Sequence, residues 1–518
     1  IYFIGGNCML QLKSPSFLKI ALALFLVFAM PATAQAHGGE GEASVIAGAL
    51  AWGFLAFGAL VIAVVSLILF AGRSRRNRAT SAADFESLTG FRGYVGKMRL
   101  FSRNARLFMI HVVGMDVIFG TWTVLFNLYL LAVGFDIAFI GLRILLAAIT
   151  RAALSIPAGL ISDRMGRKLS FILGDGMGAV MSLIAISTAN PALLLVTAVI
   201  GGAFSALHGV AEPAFMAENS EDFERVHLFS VSDGTRTAAA IIGSALAGLV
   251  PLVFAGAGEG ARVELYRAVA YVGIGGWFAS LIPAVMLQQV ATPRIASQGW
   301  RSLFAGVRHP GRIWRLTAPE AVLGLGAGFA LPLMNVFFRQ NLGSPEVEIG
   351  ATFAAGEAFL VVGAFLVPLV AARLGKVRSV VYTRLAAIPF ILLIAFSPDV
   401  GGALGSVLTV AGLAHVLRIT MMNMASPVRS AFAMEILDPS ERGTQVGLEL
   451  ALSSALSGGA SYLGAQLMNA GDFRTPFFLM AACILAASLM FWGFFARREE
   501  DLILAPALGG AEAAIAGE

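Results

Sequence analysis

Gly159-Leu-Ile-Ser-Asp163-Arg164-Met-Gly166-Arg167-Lys168 separates two apolar runs, 138–161 and 169–189. Each run is long enough to cross a hydrocarbon core of ~30 Å as a helix, which takes about 20 residues. Bases crowd the connection, where Arg164, Arg167 and Lys168 stand beside Asp163. Short loops rich in Lys and Arg stay in the cytoplasm, so this end of the pair is expected inside. Gly166 suits a tight turn, because glycine takes positive φ without strain. Gly159 would let a neighbouring helix approach closely. Asp163 can oppose the N-terminal dipole of a neighbouring helix. The same layout returns 209 residues later as Ala372-Arg373-Leu-Gly375-Lys376, with Ala372 in place of the acid.

Working outward, the pattern continues along the chain. The 518 residues are 58% hydrophobic and 13% charged, against ~45–50% and ~25% in soluble domains. Apolar runs lie near 107–132, 138–161, 169–189, 191–216, 229–255, 264–288, 316–339, 347–373, 379–398, 402–434, 443–468 and 474–496. Bases fall in alternate breaks: Arg294, Arg301, Arg308, Arg312 and Arg315, then Arg373, Lys376 and Arg378, then Arg497 and Arg498. The expectation is an all-α membrane protein. It is a twelve-helix bundle of two six-helix pseudo-repeats, 107–288 and 316–498, joined by a central cytoplasmic loop at 289–315. Ahead of it, residues 1–36 read as upstream residues and a signal peptide ending at Ala34-Gln35-Ala36. One extra N-terminal transmembrane helix within 37–72 ends on Arg73, Arg75, Arg76 and Arg78. A basic cytoplasmic linker with an interfacial helix fills 73–106, and a disordered tail covers 499–518. The N-terminus is then outside and the C-terminus cytoplasmic. Two cysteines, Cys8 and Cys483, exclude a disulfide scaffold and a Cys-based zinc site. The net charge of +5 sits in loops between spans, which argues for topology and against nucleic acid.

The halves repeat each other. Gly120 to Tyr129 matches Gly328 to Phe337, with Asn127 on Asn335 at an offset of 208. Ile140-Gly141 falls on Ile349-Gly350 at 209, and AFMAENSEDFER (214–225) on AFAMEILDPSER (431–442) at 217. Order and offset are kept, so the halves run parallel. Placed between spans 2 and 3 of twelve, the 159–168 stretch resembles the signature loop of the major facilitator superfamily, over about 107–496. The resemblance implies a secondary transporter working by alternating access, with this loop latching the cytoplasmic side in the outward-open state. Glu218 with Arg225, and Glu435 with Arg442, look like partners of that latch. Proton-coupled efflux of a small organic molecule is the first reading the resemblance implies. The alternatives are uptake or exchange of an anionic metabolite, copper transport, and a non-transporting receptor or scaffold. The expected setting is a monomer in the inner membrane, without cofactor, handling a small-molecule solute with H+ as coupling ion.

Charges within spans cost about 2.5–3.5 kcal/mol on insertion scales, so each is a site candidate. Asp116, Gly120, Thr123 and Asn127 share one face of span 1 at helical spacing. Gly324, Gly328, Leu331 and Asn335 form the matching face of span 7, without the acid. Asp116 is therefore a proton carrier, a cation site or the partner of an arginine. Arg151 in span 2 either binds an anion or pairs with Asp116, and Glu357 lies mid-span in span 8. Asn127 and Asn335 either bond the solute or join helices. Glu212 and Arg429 stand at equivalent positions and are expected to form a cytoplasmic gate; pairing within each half, Glu212 with Arg236 and Arg429 with Glu435, is the alternative. His111-x-x-x-Met115, Met177-x-x-x-Met181 and Met421, Met422 and Met424 have Cu(I)-like spacing. With 18 methionines, packing is the preferred reading, and no metal site is expected. No P-loop, H-E-x-x-H or G-x-S-x-G occurs, so neither an ATP-driven pump nor a hydrolase is expected.

Overall fold

The computed structural model describes residue 93 and residues 96–253, 259–289, 307–402 and 406–496. The expected signal peptide, extra span, tail, most of the basic linker and most of the central loop lie outside the described residues.

Six long helices precede the central loop. α1 (Arg103–Val133) starts at Ser102, whose side chain accepts from the Ala105 amide, and stops at Gly134, φ 106°. α2 (Ile137–Met165) is capped by Asp136 and stops at Gly166, φ 89°, from which α3 (Arg167–Ser187) starts. α4 (Pro191–Glu218) has Asn190 as cap and a proline in its first turn, where the missing N–H costs nothing. α5 (Asp222–Val253) and α6 (Glu259–Val285) complete the half. After the loop come α7, starting with Pro310–Ala330, then α8 (Glu346–Leu374), α9 (Lys376–Val400), α10 (Val407–Ile436), α11 (Pro439–Asn469) and α12 (Thr475–Phe495). Nine of the described helices are long and apolar enough to cross a membrane. The turn glycines repeat too: Gly134 with Gly343, and Gly166 with Gly375, all take positive φ.

One expected run is not a single helix. α7 breaks into a 3-10 turn at Leu331–Leu333, a short α segment at Met334–Val336 and a π turn at Phe337–Asn341. The cause is Pro332, which has no N–H for the carbonyl one turn back. That carbonyl, Gly328 O, accepts instead from Ser461 Oγ at 3.1 Å.

Packing follows the repeat. α1 packs on α5 and α6, α3 on α4 and α6, and α2 on α4; α7, α9 and α8 repeat these contacts with α11, α12 and α10. Between halves, α2 meets α11 and α5 meets α8, an arrangement with two-fold character. The chain has two ends, here called the loop face, which carries 163–168, and the far face opposite. On the far face the halves are in tight contact. A side chain at Gly350 would meet Gly248 Cα at 2.6 Å, and one at Gly458 would meet Ala148 Cβ at 2.6 Å. The Ile137 amide donates to Asn469 Oδ1 at 3.2 Å. A core cluster built from both halves, including Tyr129, Ile137, Phe337 and Phe477, fills this end. Towards the loop face the cores separate: Phe108, Phe171 and Phe215 cluster in one half, Val380, Phe432 and Phe491 in the other. Gly159 was expected to receive a close neighbour. It does not in this conformation, since a Cβ on Gly159, Gly234, Gly443 or Gly447 would meet nothing within 4 Å. The halves are splayed at the end where α2 and α11 would have to meet.

Candidate functional site

Span 1 presents Asp116 to α5, and the expected shared face is only partly a cavity face. Gly120 is filled against the Ala240 backbone, and Thr121 donates to Gly243 O at 3.2 Å, so this part of α1 is a packing seam. Asp116 is buried there beside Arg236, not Arg151. Arg236 Nε lies 3.0 Å from Asp116 Oδ2, yet the angle is poor and Oδ2 has no hydrogen-bond partner. The one hydrogen bond between them, Nη2 to Oδ1, is long at 3.4 Å. Arg236 also pairs with Glu212, whose second oxygen lies 3.3 Å from His208 Nε2. His208 Nδ1 faces Asp175 Oδ2 at 2.9 Å, and His111 Nε2 faces the same oxygen at 2.8 Å. His111 Nδ1 ends the chain on Ser280 O at 2.9 Å.

Counting donors limits where the protons of this chain can sit. All four imidazole nitrogens face acceptors, and a neutral imidazole has only one N–H to donate. Satisfying the four contacts requires two imidazolium rings, or protons placed on the carboxylates between them. With both rings charged, His111, His208 and Arg236 balance Asp116, Asp175 and Glu212. The donor atoms of His111, Asp175 and His208 lie within 4.8 Å of one another, as a metal site requires. In the arrangement described here each ring nitrogen faces an oxygen acceptor of a neighbouring helix or carboxylate. His111 and Asp116 point about 140° apart on α1, at ~100° per residue. They are joined through α3, α4 and α5, a connection no spacing within one helix reveals.

In the other half, Glu357 on α8 is half-buried and within electrostatic range of Asp116. Arg151 is exposed on α2 and beside Gly209 of α4.

The second half carries its own charge cluster. Arg384 of α9 donates to Glu320 of α7 at 2.6 Å. Arg429 of α10 is held by Glu449 of α11 through two bonds of 2.8 Å, with Glu320 3.7 Å away. The expected Glu212–Arg429 gate pair is therefore not formed in this conformation, and Glu435 is not the partner of Arg429. Each charge has a better-placed opposite inside its own half, and crossing the cavity would strand Arg236 and Glu449. Glu320, Arg384, Arg429 and Glu449, with Arg418 and several apolar side chains, line a cavity of about 340 Å³.

Asn127 and Asn335 meet each other on the far face. Asn127 Nδ2 donates to Pro332 O at 2.8 Å and to Asn335 Oδ1 at 3.0 Å. Asn335 Nδ2 donates to Thr123 O at 3.1 Å and Val124 O at 2.9 Å. All four amide hydrogens serve this clasp.

On the loop face, Arg167 is the centre of the turn. It pairs with Asp163 at 2.6 Å and Glu218 at 3.0 Å, and donates to Ser162 Oγ at 2.9 Å. Asp163 is largely exposed, as is Arg164. Lys376 and Glu435 form the equivalent pair in the second half. Arg225 and Arg442 each donate to the carbonyl five residues back, Ser220 O and Leu437 O. Glu441, at the start of α11, is buried and accepts from the Arg308 and His309 amides at 2.6 Å each. Burial works to raise its pKa, but those amides and the nearby His309 outweigh it and hold the carboxyl below its ordinary value.

Similarity to known proteins fits this geometry. The sequence profile of the Major Facilitator Superfamily matches residues 107–448. No curated protein matches the chain. Among solved structures, the nucleoside transporter NupG superposes with a TM-score of 0.59 at 15% identity, over 76% of this chain and 98% of that one. The D-xylose–proton symporter gives 0.58 at 15%, over 75% and 97%. The human organic anion transporter MFSD10 gives 0.53 at 15%, over 75% and 99%. Identities this low speak for the fold alone. The profile nevertheless spans most of the chain, from α1 through α10 and including the 163–168 turn: the chain belongs to the Major Facilitator Superfamily.

Proposed function

We propose that this protein is a secondary active transporter that carries a small solute across the inner membrane by alternating access, coupled to protons through Asp116. The observation that carries the reading is the unequal contact between the halves. Far-face glycines are engaged across the α2–α11 and α5–α8 seams, while loop-face glycines on α2, α5 and α11 meet open space. Two halves related by a two-fold and in contact at one end only can rock to close the other. The buried proton chain supports the coupling. Asp116 shares Arg236 with Glu212 and holds it through poorly aligned contacts. Protonating Asp116 would release Arg236 wholly to Glu212 and remove a negative charge within electrostatic range of Glu357 in the other half. That is a local change that favours bringing the halves together at this level. One structural relative is named a D-xylose–proton symporter.

The test uses purified protein in liposomes with an imposed pH gradient. Wild type is expected to accumulate or extrude solute in a gradient-dependent way, which also reads the direction. Asp116→Asn should lose gradient-driven transport and keep solute exchange without a gradient. Gradient-driven transport by Asp116→Asn at the wild-type rate would overturn the coupling role.

A further inference from the structure

Arg418 is the residue the transporter reading leaves unexplained. It lies on α10, is 4% exposed, and its buried Nε has no hydrogen-bond partner. Among the described residues it forms no ion pair and no other hydrogen bond. A guanidinium cannot shed its proton in a protein, so the charge persists. An uncompensated charge in a low-dielectric interior is expensive, and natural chains pair it or use it.

The other charges of the same cavity are accounted for. Arg384 has Glu320, and Arg429 has Glu449. Arg143 in the first half also has a buried, unpartnered Nε, but its guanidinium sits 4.2 Å from the centre of the Phe126 ring, which supplies negative charge density. Among the described residues no ring serves Arg418 in this way. The cavity thus holds three guanidinium groups against two carboxylates, and the surplus is Arg418. Arg384 adds two more buried donors without partners, Nε and Nη1. Facing them, Leu331, Met422, Met480 and Ile484 offer an apolar wall. A volume of about 340 Å³ is at the small end for a ligand site.

We infer that the solute is a small organic monoanion, a carboxylate with an apolar body, and that it docks in this second-half cavity with its carboxylate on Arg418. One missing negative charge calls for a monoanion, because a dianion would be left with one charge of its own unpaired. The planar fork of the guanidinium matches a carboxylate with two parallel bonds. The inference rests on the transporter reading for its function, but not for binding itself.

The experiment is a thermal-shift and binding series on the full chain in nanodiscs, in chloride-free buffer. The probes are benzoate, hexanoate, pyruvate and nicotinate, with benzamide, benzylammonium and inorganic phosphate as controls. At least one carboxylate should bind and raise the Tm by several degrees, while benzamide and benzylammonium should not. Arg418→Gln should weaken that carboxylate by at least tenfold, and Arg418→Lys by less. Without ligand, Arg418→Gln should be as stable as wild type or more so, since it removes a stranded charge. A purely structural Arg418 would instead give a less stable apo variant, and that result overturns the inference. So does failure of all four carboxylates to bind, binding of benzamide as tight as benzoate, or phosphate alone reproducing the shift. Carboxylate binding lost in Arg418→Gln, without transport in liposomes, would keep this site and sink the transporter reading. Gradient-driven transport of a neutral solute with no carboxylate binding would do the reverse.

Discussion

A single amide shows how much one side chain can decide. Asn335 gives both of its hydrogens to carbonyls of α1 in the opposite half, Thr123 O and Val124 O. Its own oxygen accepts from Asn127. Each such bond is worth about 1 kcal/mol net, so losing all three in Asn335→Ala should cost the far-face contact about 3 kcal/mol, a factor on the order of 100 in population. Transport should continue, because the substitution loosens the far-face clasp without touching any of the candidate charges. Amide hydrogen exchange across 331–341 should rise by roughly that factor, with exchange in α9 unchanged. Equal exchange in the two proteins would mean the clasp does not hold the far face shut. The asparagine pair was visible in the sequence as a repeat match, but its use was not. An amide joining helices and an amide awaiting a solute look alike until the opposing helix is placed.

Elements were more legible than their interruptions. Apolar length and polar breaks set the helices, and Gly134, Gly166, Gly343 and Gly375 mark turns that demand positive φ. The break in α7 was missed, although Pro332 was in view, because a proline within an apolar run is compatible with a kinked helix when a neighbour rescues the free carbonyl. Ser461, which does so, is 129 residues away in the chain. Gly159 was read as a contact glycine, and here it touches nothing. That makes α2 a direct probe of the motion. Gly159→Leu should fold normally in the present conformation, since its side chain meets open space, yet cut transport at least tenfold by blocking the α2–α11 approach at the loop face. Gly350→Leu is the opposite case: its side chain would run into Gly248 backbone, so the variant should lose the present conformation. Labelling of loop-face positions by a thiol reagent should fall in Gly350→Leu and persist in Gly159→Leu. Normal transport by Gly159→Leu would show that α2 and α11 never close there.

For the whole molecule, what remains is which compartment the open end faces. The candidate charges could be found one by one, because each interrupts an apolar run, but their partners lie on other helices. Of the partners, Arg236 was in view as the alternative mate of Glu212, and that pair is formed; Asp175, His208, Glu320, Arg384, Arg418 and Glu449 entered only when α3, α4, α7, α9, α10 and α11 were brought together. Side, by contrast, is written in the loops. Arg164, Arg167, Lys168, Arg308, Arg312, Arg373, Lys376 and Arg378 lie at the loop face, while the far-face connections and helix ends carry the fewer Arg262, Arg267, Arg339 and Arg474. Basic loops of this length are retained in the cytoplasm, and on that ground we propose that the conformation described here is the inward-open one. Helix lengths cannot test that, since an inverted bundle would span equally well. Two exposed positions can: Arg164 at the loop face and Ala189 between α3 and α4 at the far face. In a background with both native cysteines replaced, Ala189→Cys should react with an impermeant thiol reagent in intact cells. Arg164→Cys should react only in inside-out vesicles. The reverse pattern would turn the molecule over, so that the Asp116 chain and the Arg418 cavity would open to the outside in this state, and the solute would be released there when the far face is shut.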